Sequence, residues 1–213
     1  MSIDINSSQT LDIKLALTAG SEMSPQAATV YFGYGSNLWQ DQMRQRCPTS
    51  TYIGIARLKG YEWFIYDRGY ANIKTAEDKT TEYKHDYTQE VWGLVYRLEP
   101  EDEEDLDMNE GVPIAYTKEL LECELWEAKH GDKPDRGKDP KKVDMLVYIN
   151  RKLTTPSKSR TEYVYRMNKG IKDALKEGVP EEYVKQVMRK FIPEVEDSSV
   201  AELARKQALK FED

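Results

Sequence analysis

The chain of 213 residues is long enough for one ordinary globular domain with an appended helix or tail. Its formal net charge of −7 argues against a general nucleic-acid binder, which would show a basic face, and no apolar run approaches the roughly 20 residues of a membrane-spanning helix. Two cysteines, Cys47 and Cys123, are too few for a disulfide framework and fit a reduced, cytosolic protein.

The opening "MSIDINSSQTLDIKLALTAG" lacks the basic start of a signal peptide, and residues 1–28 read as a polar arm with at most a short strand or turn at Leu11 to Leu17. Val30 to Tyr34 is a short strand, turned by Gly35-Ser36-Asn37, and Leu38 to Arg46 is a short helix stopping before Pro48. Ile53 to Ile65 reads as one or two strands around Gly60, and Tyr70 to Lys74 as another. The charged segment 75–89 is a loop or hairpin tip. "VWGLVYRL", Val91 to Leu98, is the clearest strand, and Gly93 inside it points to close backbone approach. Pro100 followed by acids marks a helix start, and Asn109-Glu110-Gly111 its end. Tyr116 to Glu127 and Val143 to Asn150 alternate as paired strands around a solvated loop, 128–142. Thr161 to Lys176 and Pro180 to Phe191 are helices, and Ser198 to Phe211 is a last amphipathic one. This is an α+β pattern, a mostly β core with inserted helices and a helical C-terminal third, without the regular alternation of a doubly wound sheet.

Both histidines, His85 and His130, fall in charged loops, and neither His-x-x-x-His nor Cys-x-x-Cys occurs, so no metal site is expected. "GYGSNL" lacks the third glycine of a dinucleotide fingerprint and the Gly-Lys-Ser/Thr ending of a phosphate loop. Two candidates remain. Backbone N–H groups at the turn 34–38 could cradle a carboxylate or oxyanion, although for this motif alone ordinary turn chemistry is the stronger reading. Glu110 closes a helix whose negative end disfavours a carboxylate, beside the apolar-leaning "VPIAY", a setting suited to a base that later acts as an acid. An exposed last-turn glutamate is the competing reading. The acidic run Glu101 to Asp107 reads as a solvated helix face, and Arg57 as an ion-pair partner at a strand rim.

Together, "YFGYGSNL", "IARL" at 55–58, "EVWGLVYRL" at 90–98 and "DMNEGV" at 107–112 resemble the γ-glutamylcyclotransferase family in order and spacing, with Tyr163, seven residues before Gly170, resembling its second substrate-contacting tyrosine. The resemblance covers residues 30 to 193. It implies a compact mixed β-barrel with flanking helices, a catalytic domain over 29–195 and a helical extension over 196–213. It also implies conversion of a small-molecule γ-glutamyl substrate to 5-oxoproline and a free amine without metal or organic cofactor. Carried over, Tyr31, Phe32, Gly33, Tyr34, Gly35, Ser36 and Asn37 grip the glutamyl group, Glu110 is the acid/base and Tyr163 closes the pocket. A homodimer is compatible with this reading; nucleic acid and membrane are not expected partners. The long segments 75–89 and 128–142 and the terminal extensions are placed to reshape the pocket mouth and so the leaving-group preference. A catalytically silent γ-glutamyl-binding module and a cyclotransferase for bulky glutathione-derived adducts are the alternatives.

Overall fold

Strand β1 (Thr29–Gly33) is hydrogen-bonded on both sides, and following its neighbours round closes a barrel. The protein is seen in a computed structural model that describes residues 27–77, 86–195 and 198–208. The arm at residues 1–26, including Leu11 to Leu17, and His85 lie outside them. With β2 (Thr51–Lys59), β3 (Tyr61–Ile65), β4 (Ala71–Thr75), β5 (Glu90–Leu98), β6 (Thr117–Glu127) and β7 (Lys141–Ile149), the barrel order is β1-β5-β2-β6-β7. All pairings round it are antiparallel except β1 with β7, which is parallel through Tyr31 and Leu146, so the barrel is mixed. Strands β3 and β4 form a separate two-stranded sheet.

One barrel strand, β5, is buried on both faces. Along β5 only Arg97 is exposed, which is why the segment reads as a nearly continuous apolar run. Phe32, Ile55, Leu94, Leu125 and Val147 bring all five barrel strands into one core. At Gly93 a side-chain Cβ would lie 2.4 Å from the Gly33 carbonyl oxygen and 2.8 Å from the Phe32 ring, so the close approach expected there is real. Arg57 lies beside the stacked rings of Trp92 and Trp126, with its guanidinium carbon 5.6 and 5.5 Å from their centres, and pairs with Glu90 and Glu124 at 3.2 and 2.6 Å. It is the rim partner that its position suggested.

The helices are α1 (Gln40–Arg46), α2 (Pro100–Asn109), α3 (Thr161–Glu177), α4 (Glu181–Gln186) and α5 (Ala201–Ala208). Three expectations need correction. Leu38 and Trp39 do not begin α1; Ser36–Leu38 is a 3-10 turn, and extended Trp39 separates it from the helix. Pro180 to Phe191 is not one helix, since α4 gives way at Val187 to a 3-10 turn, Met188–Lys190, an arrangement in which Met188 and Ile192 are both fully buried. The acids of α2 are not all solvated. Asp102 is buried, accepting from the Thr49 hydroxyl at 2.7 Å, and Asp107 accepts from the Tyr148 hydroxyl at 2.7 Å.

Gly93→Ala is expected to lower unfolding free energy by about 1–3 kcal/mol, because the added methyl must displace backbone in a closed barrel. Urea unfolding checks this; an unchanged midpoint would show that the contact gives way without cost.

Candidate active site

The turn after β1 has to serve two masters, leaving the barrel and entering α1, and its side chains are consumed in doing so. Helix α1 carries Gln42 and Arg46 one turn apart, on the same face. Gln42 Nε2 donates to Ser36 Oγ (3.0 Å) and to Asn37 Oδ1 (2.8 Å), and Arg46 Nη1 donates to the same Asn37 oxygen (3.1 Å). With its oxygen so occupied, Asn37 turns its amide nitrogen the other way, donating to Tyr31 Oη and to Glu110 Oε1, both at 2.8 Å.

Glu110 is the C-cap of α2, and Gly111 beyond it takes a left-handed conformation (φ 64°) that turns the chain away and leaves the carboxylate directed at the turn. Arg46 Nη1 lies 3.3 Å from the same Oε1. Oε2 has no hydrogen-bond partner among the described residues. One oxygen is therefore anchored and the other is free. The apolar surroundings expected for Glu110 are not found: Ile114 of "VPIAY" points to solvent at 90% exposure, and the neighbours of the carboxylate are an amide, a guanidinium and tyrosines.

Helix α3 completes the wall from its first turn. Tyr163 Oη accepts hydrogen bonds from the Ser36 and Ala71 backbone N–H groups, each at 3.2 Å. A Cβ on Gly35 would come within 2.9 Å of that hydroxyl, so a glycine is needed for Tyr163 to reach the turn. The Ser36 N–H is thus already taken, and the turn is not the open backbone cradle that its sequence suggested. Instead Tyr163 has two amides at its lone pairs and its own O–H proton left to donate.

A cavity opens among these groups, lined by Tyr31, Tyr34, Gly35, Ser36, Asn37, Glu110 and Tyr163 of the expected residues. Phe32 and Gly33 do not line it; the strand's alternation turns Phe32 into the core, where it is fully buried. The loop 128–142 does not reach the cavity either. It folds over the other end of the barrel, with the Lys138 carbonyl on Trp126 Nε1 (2.9 Å) and His130 Nδ1 3.0 Å from Glu177.

Beside Ala71 and Asn109, six residues that the sequence did not single out supply the rest of the wall: Arg46, Tyr70, Tyr116, Tyr148, Arg166 and Gln207. Arg166 had a legible signal, since it lies three residues beyond Tyr163 on one helix face. Arg46 and Gln207 had none, because only tertiary packing brings α1 and α5 together. Arg46 Nε donates to the Ala208 carbonyl at 2.6 Å, and Ala204 and Ala208 are buried, so the last helix docks against the group that holds Glu110.

The cavity tyrosines are neutral donors. Burial, and secondly the Glu110 carboxylate, push the ionisation of Tyr31 and Tyr34 well up, and burial raises Tyr163 to about 12 in spite of Arg166 nearby. Burial also holds both free thiols, Cys47 and Cys123, at about 12, so neither is a poised nucleophile. Among the described residues no group of three or more His, Cys, Asp or Glu side chains could hold a metal, and no helix is long and apolar enough to cross a membrane.

A closed mixed barrel with flanking helices is a fold of known kind. Residues 31–171 match the family described as "Gamma-glutamyl cyclotransferase, AIG2-like", and the chain belongs to that family. Two curated relatives named gamma-glutamylcyclotransferase are 31% identical over 91 residues (Bos taurus) and 29% identical over 90 (Mus musculus). Each match covers 39% of this chain and 44% of the relative, so the chain spans less than half the length of the curated relatives it matches. Among solved structures, an uncharacterized human protein aligns with a TM-score of 0.62 at 18% identity, and a gamma-glutamyl cyclotransferase with 0.60 at 19%. Both alignments cover 84% of this chain and 99% of the other, a likeness of fold.

Asn37→Leu keeps the volume and removes all four hydrogen bonds of a buried amide. It is expected to cost about 3 kcal/mol or more in urea unfolding, and a loss below about 0.5 kcal/mol would mean the network is not cohesive. The raised tyrosines make a second prediction. A phenol whose folded-state value lies above its unfolded one contributes stability that is complete below about pH 10 and is lost as pH climbs through the raised value. Absorbance at 295 nm is expected to show Tyr31, Tyr34 and Tyr163 still neutral at pH 10.5, judged by replacing each with Phe and finding the native titration unchanged. A diminished titration in any of the three would contradict it.

Proposed function

We propose that the chain is a γ-glutamyl cyclotransferase that closes the glutamyl group of its substrate into 5-oxoproline and releases a free amine. The observation that carries this reading is Glu110, anchored at Oε1 by Asn37 and Arg46 and open at Oε2 on a cavity of neutral tyrosines. Little else is required of the protein, because nucleophile and electrophile belong to one molecule. Holding the glutamyl chain folded removes much of the entropic part of the barrier, an effect worth roughly 7–11 kcal/mol in well-oriented intramolecular reactions.

In the proposed reaction the substrate's α-ammonium gives a proton to Glu110 Oε2, and the freed amine attacks the γ-carbonyl carbon. A C–N bond forms and the carbonyl electrons move onto oxygen. The Tyr163 hydroxyl, polarised by its two amide donors, supplies a fixed hydrogen bond for that oxyanion. The intermediate then collapses: the original amide C–N bond breaks, and Glu110 returns its proton to the departing nitrogen. The extra proton left on the ring nitrogen passes through the freed Glu110 carboxylate to the released amine, which departs as an ammonium and leaves the neutral lactam. Tyr31 and Tyr163 serve as uncharged donors throughout, in keeping with their raised ionisation, while Tyr34, equally neutral, spends its O–H on the Tyr148 carbonyl (2.5 Å) and shapes the wall.

Glu110→Gln keeps the shape of the side chain and its anchoring by Asn37's network while removing the base. 5-Oxoproline release from a γ-glutamyl amino acid, from glutathione and from a bulky glutathione S-conjugate is expected to fall at least about a thousandfold, within the range of lost acid–base catalysis, with circular dichroism unchanged. Retained activity in the variant would overturn the mechanism. Which of the three substrates the unmodified protein turns over assigns its leaving group, and binding without turnover of any would favour the silent binding module.

A further inference from the structure

Three charged side chains line the cavity, and they do not balance: Arg46 and Glu110 face each other, and Arg166 is left over. A protein of net charge −7 thus keeps a surplus cation in its cleft. Arg166 is only 4% exposed, and its partners are poor. The guanidinium carbon lies 5.0 Å from the centre of the Tyr163 ring and 5.9 Å from that of Tyr70. Nη1 makes long contacts with Ser36 Oγ (3.3 Å) and Gln42 Oε1 (3.5 Å). Nη2 lies 3.8 Å from Glu162 Oε1, too far for a hydrogen bond. Nε is sealed from solvent with no partner among the described residues, and so is Glu162 Oε1. Burial, with Arg46 adding to it, disfavours the charge on Arg166. Leaving a guanidinium this way is costly unless an anion completes it.

We infer that Arg166 receives the α-carboxylate of the glutamyl group through Nη2, the guanidinium nitrogen that has no hydrogen-bond partner among the described residues and is not sealed. The inference rests on the reading of the site as a γ-glutamyl site. That carboxylate is the one anionic group every γ-glutamyl compound carries on its glutamyl end, and the Ser36 N–H that the turn would have offered it is engaged by Tyr163. With the α-ammonium at Glu110 and the α-carboxylate at Arg166, both charged substituents of the substrate's Cα are held, which fixes the amine's approach to the γ-carbonyl. Arg166 is then a specificity-determining residue, and the substrate class is γ-glutamyl compounds with a free α-carboxylate.

The test compares γ-L-glutamyl-L-alanine with the same dipeptide amidated at the glutamyl α-carboxyl. The unmodified protein is expected to prefer the free acid by about a hundredfold in kcat/KM, mostly through KM, the scale of a lost buried charge-assisted pair. Arg166→Met combined with Glu162→Gln removes both buried charges together, and in that variant the preference should collapse toward one, while Arg166→Lys retains part of it. No preference in the unmodified protein overturns the inference. So does a double variant in which both rates fall but their ratio persists, the pattern of a purely structural role. If the unmodified protein forms 5-oxoproline from neither compound, the comparison is repeated with whichever of glutathione and its S-conjugate it turns over and that compound's glutamyl α-amide. If it turns over none of them, the cyclotransferase reading fails, and the same ratio measured as calorimetric affinities decides for Arg166. Equal affinities, or binding of neither compound, overturn it.

Discussion

Everything at the site depends on one buried amide. The Asn37 side chain can make four hydrogen bonds and makes all four: two accepted from Gln42 and Arg46, two donated to Tyr31 and Glu110. It thereby joins β1 and α1 to the end of α2, with Glu110 lying 73 residues further along the chain. An aspartate at this position would lack the donors, and an aliphatic side chain would leave several buried groups unpaired, each at a cost of about 1–3 kcal/mol. The orientation of Glu110 follows from this saturation, since Asn37 has no other way to present its nitrogen once its oxygen is occupied.

The barrel supplies what Asn37 cannot, a frame that does not move. Closure through the parallel β1–β7 pairing brings Tyr31 and Tyr148 into edge-to-face contact, with ring centroids 5.6 Å apart, and puts both on the cavity wall. The Arg46–Glu110 pair contributes to this less by stability than by direction. Partly buried ion pairs lose in desolvation much of what they gain in attraction, so their better use is to hold a group in place. Arg46 also carries the last helix, because the Ala208 carbonyl caps its Nε. A segment beyond the family-matched residues 31–171 therefore shares in positioning the carboxylate.

Much of this was legible in the sequence, for identifiable reasons. β5 was plain because burial on both faces leaves a continuous apolar run, and the bounds of α2 because Pro100 and Gly111 have specific backbone requirements. The pairing of the turn with Glu110 was legible only through the family resemblance, since nothing in 73 residues of separation announces a contact. The surroundings of Glu110 were misread because local sequence shows Ile114 and Pro113, which turn outward, and conceals Arg46 and Asn37, which fold inward. The backbone cradle was misread for a similar reason: a glycine turn looks open until a tyrosine from α3, more than 120 residues away, occupies its N–H. Charges on helices were the hardest, because periodicity alone does not tell a solvated acid from Asp102 or a surface arginine from Arg166.

The central claim is that the glutamyl group's own amine, and not water, attacks the γ-carbonyl at Glu110. Turnover in water enriched in oxygen-18, followed by mass spectrometry of the products, tests it most directly. Intramolecular attack predicts 5-oxoproline carrying no label and no labelled glutamate; glutamate bearing one heavy oxygen in its γ-carboxylate would show hydrolysis and contradict the account.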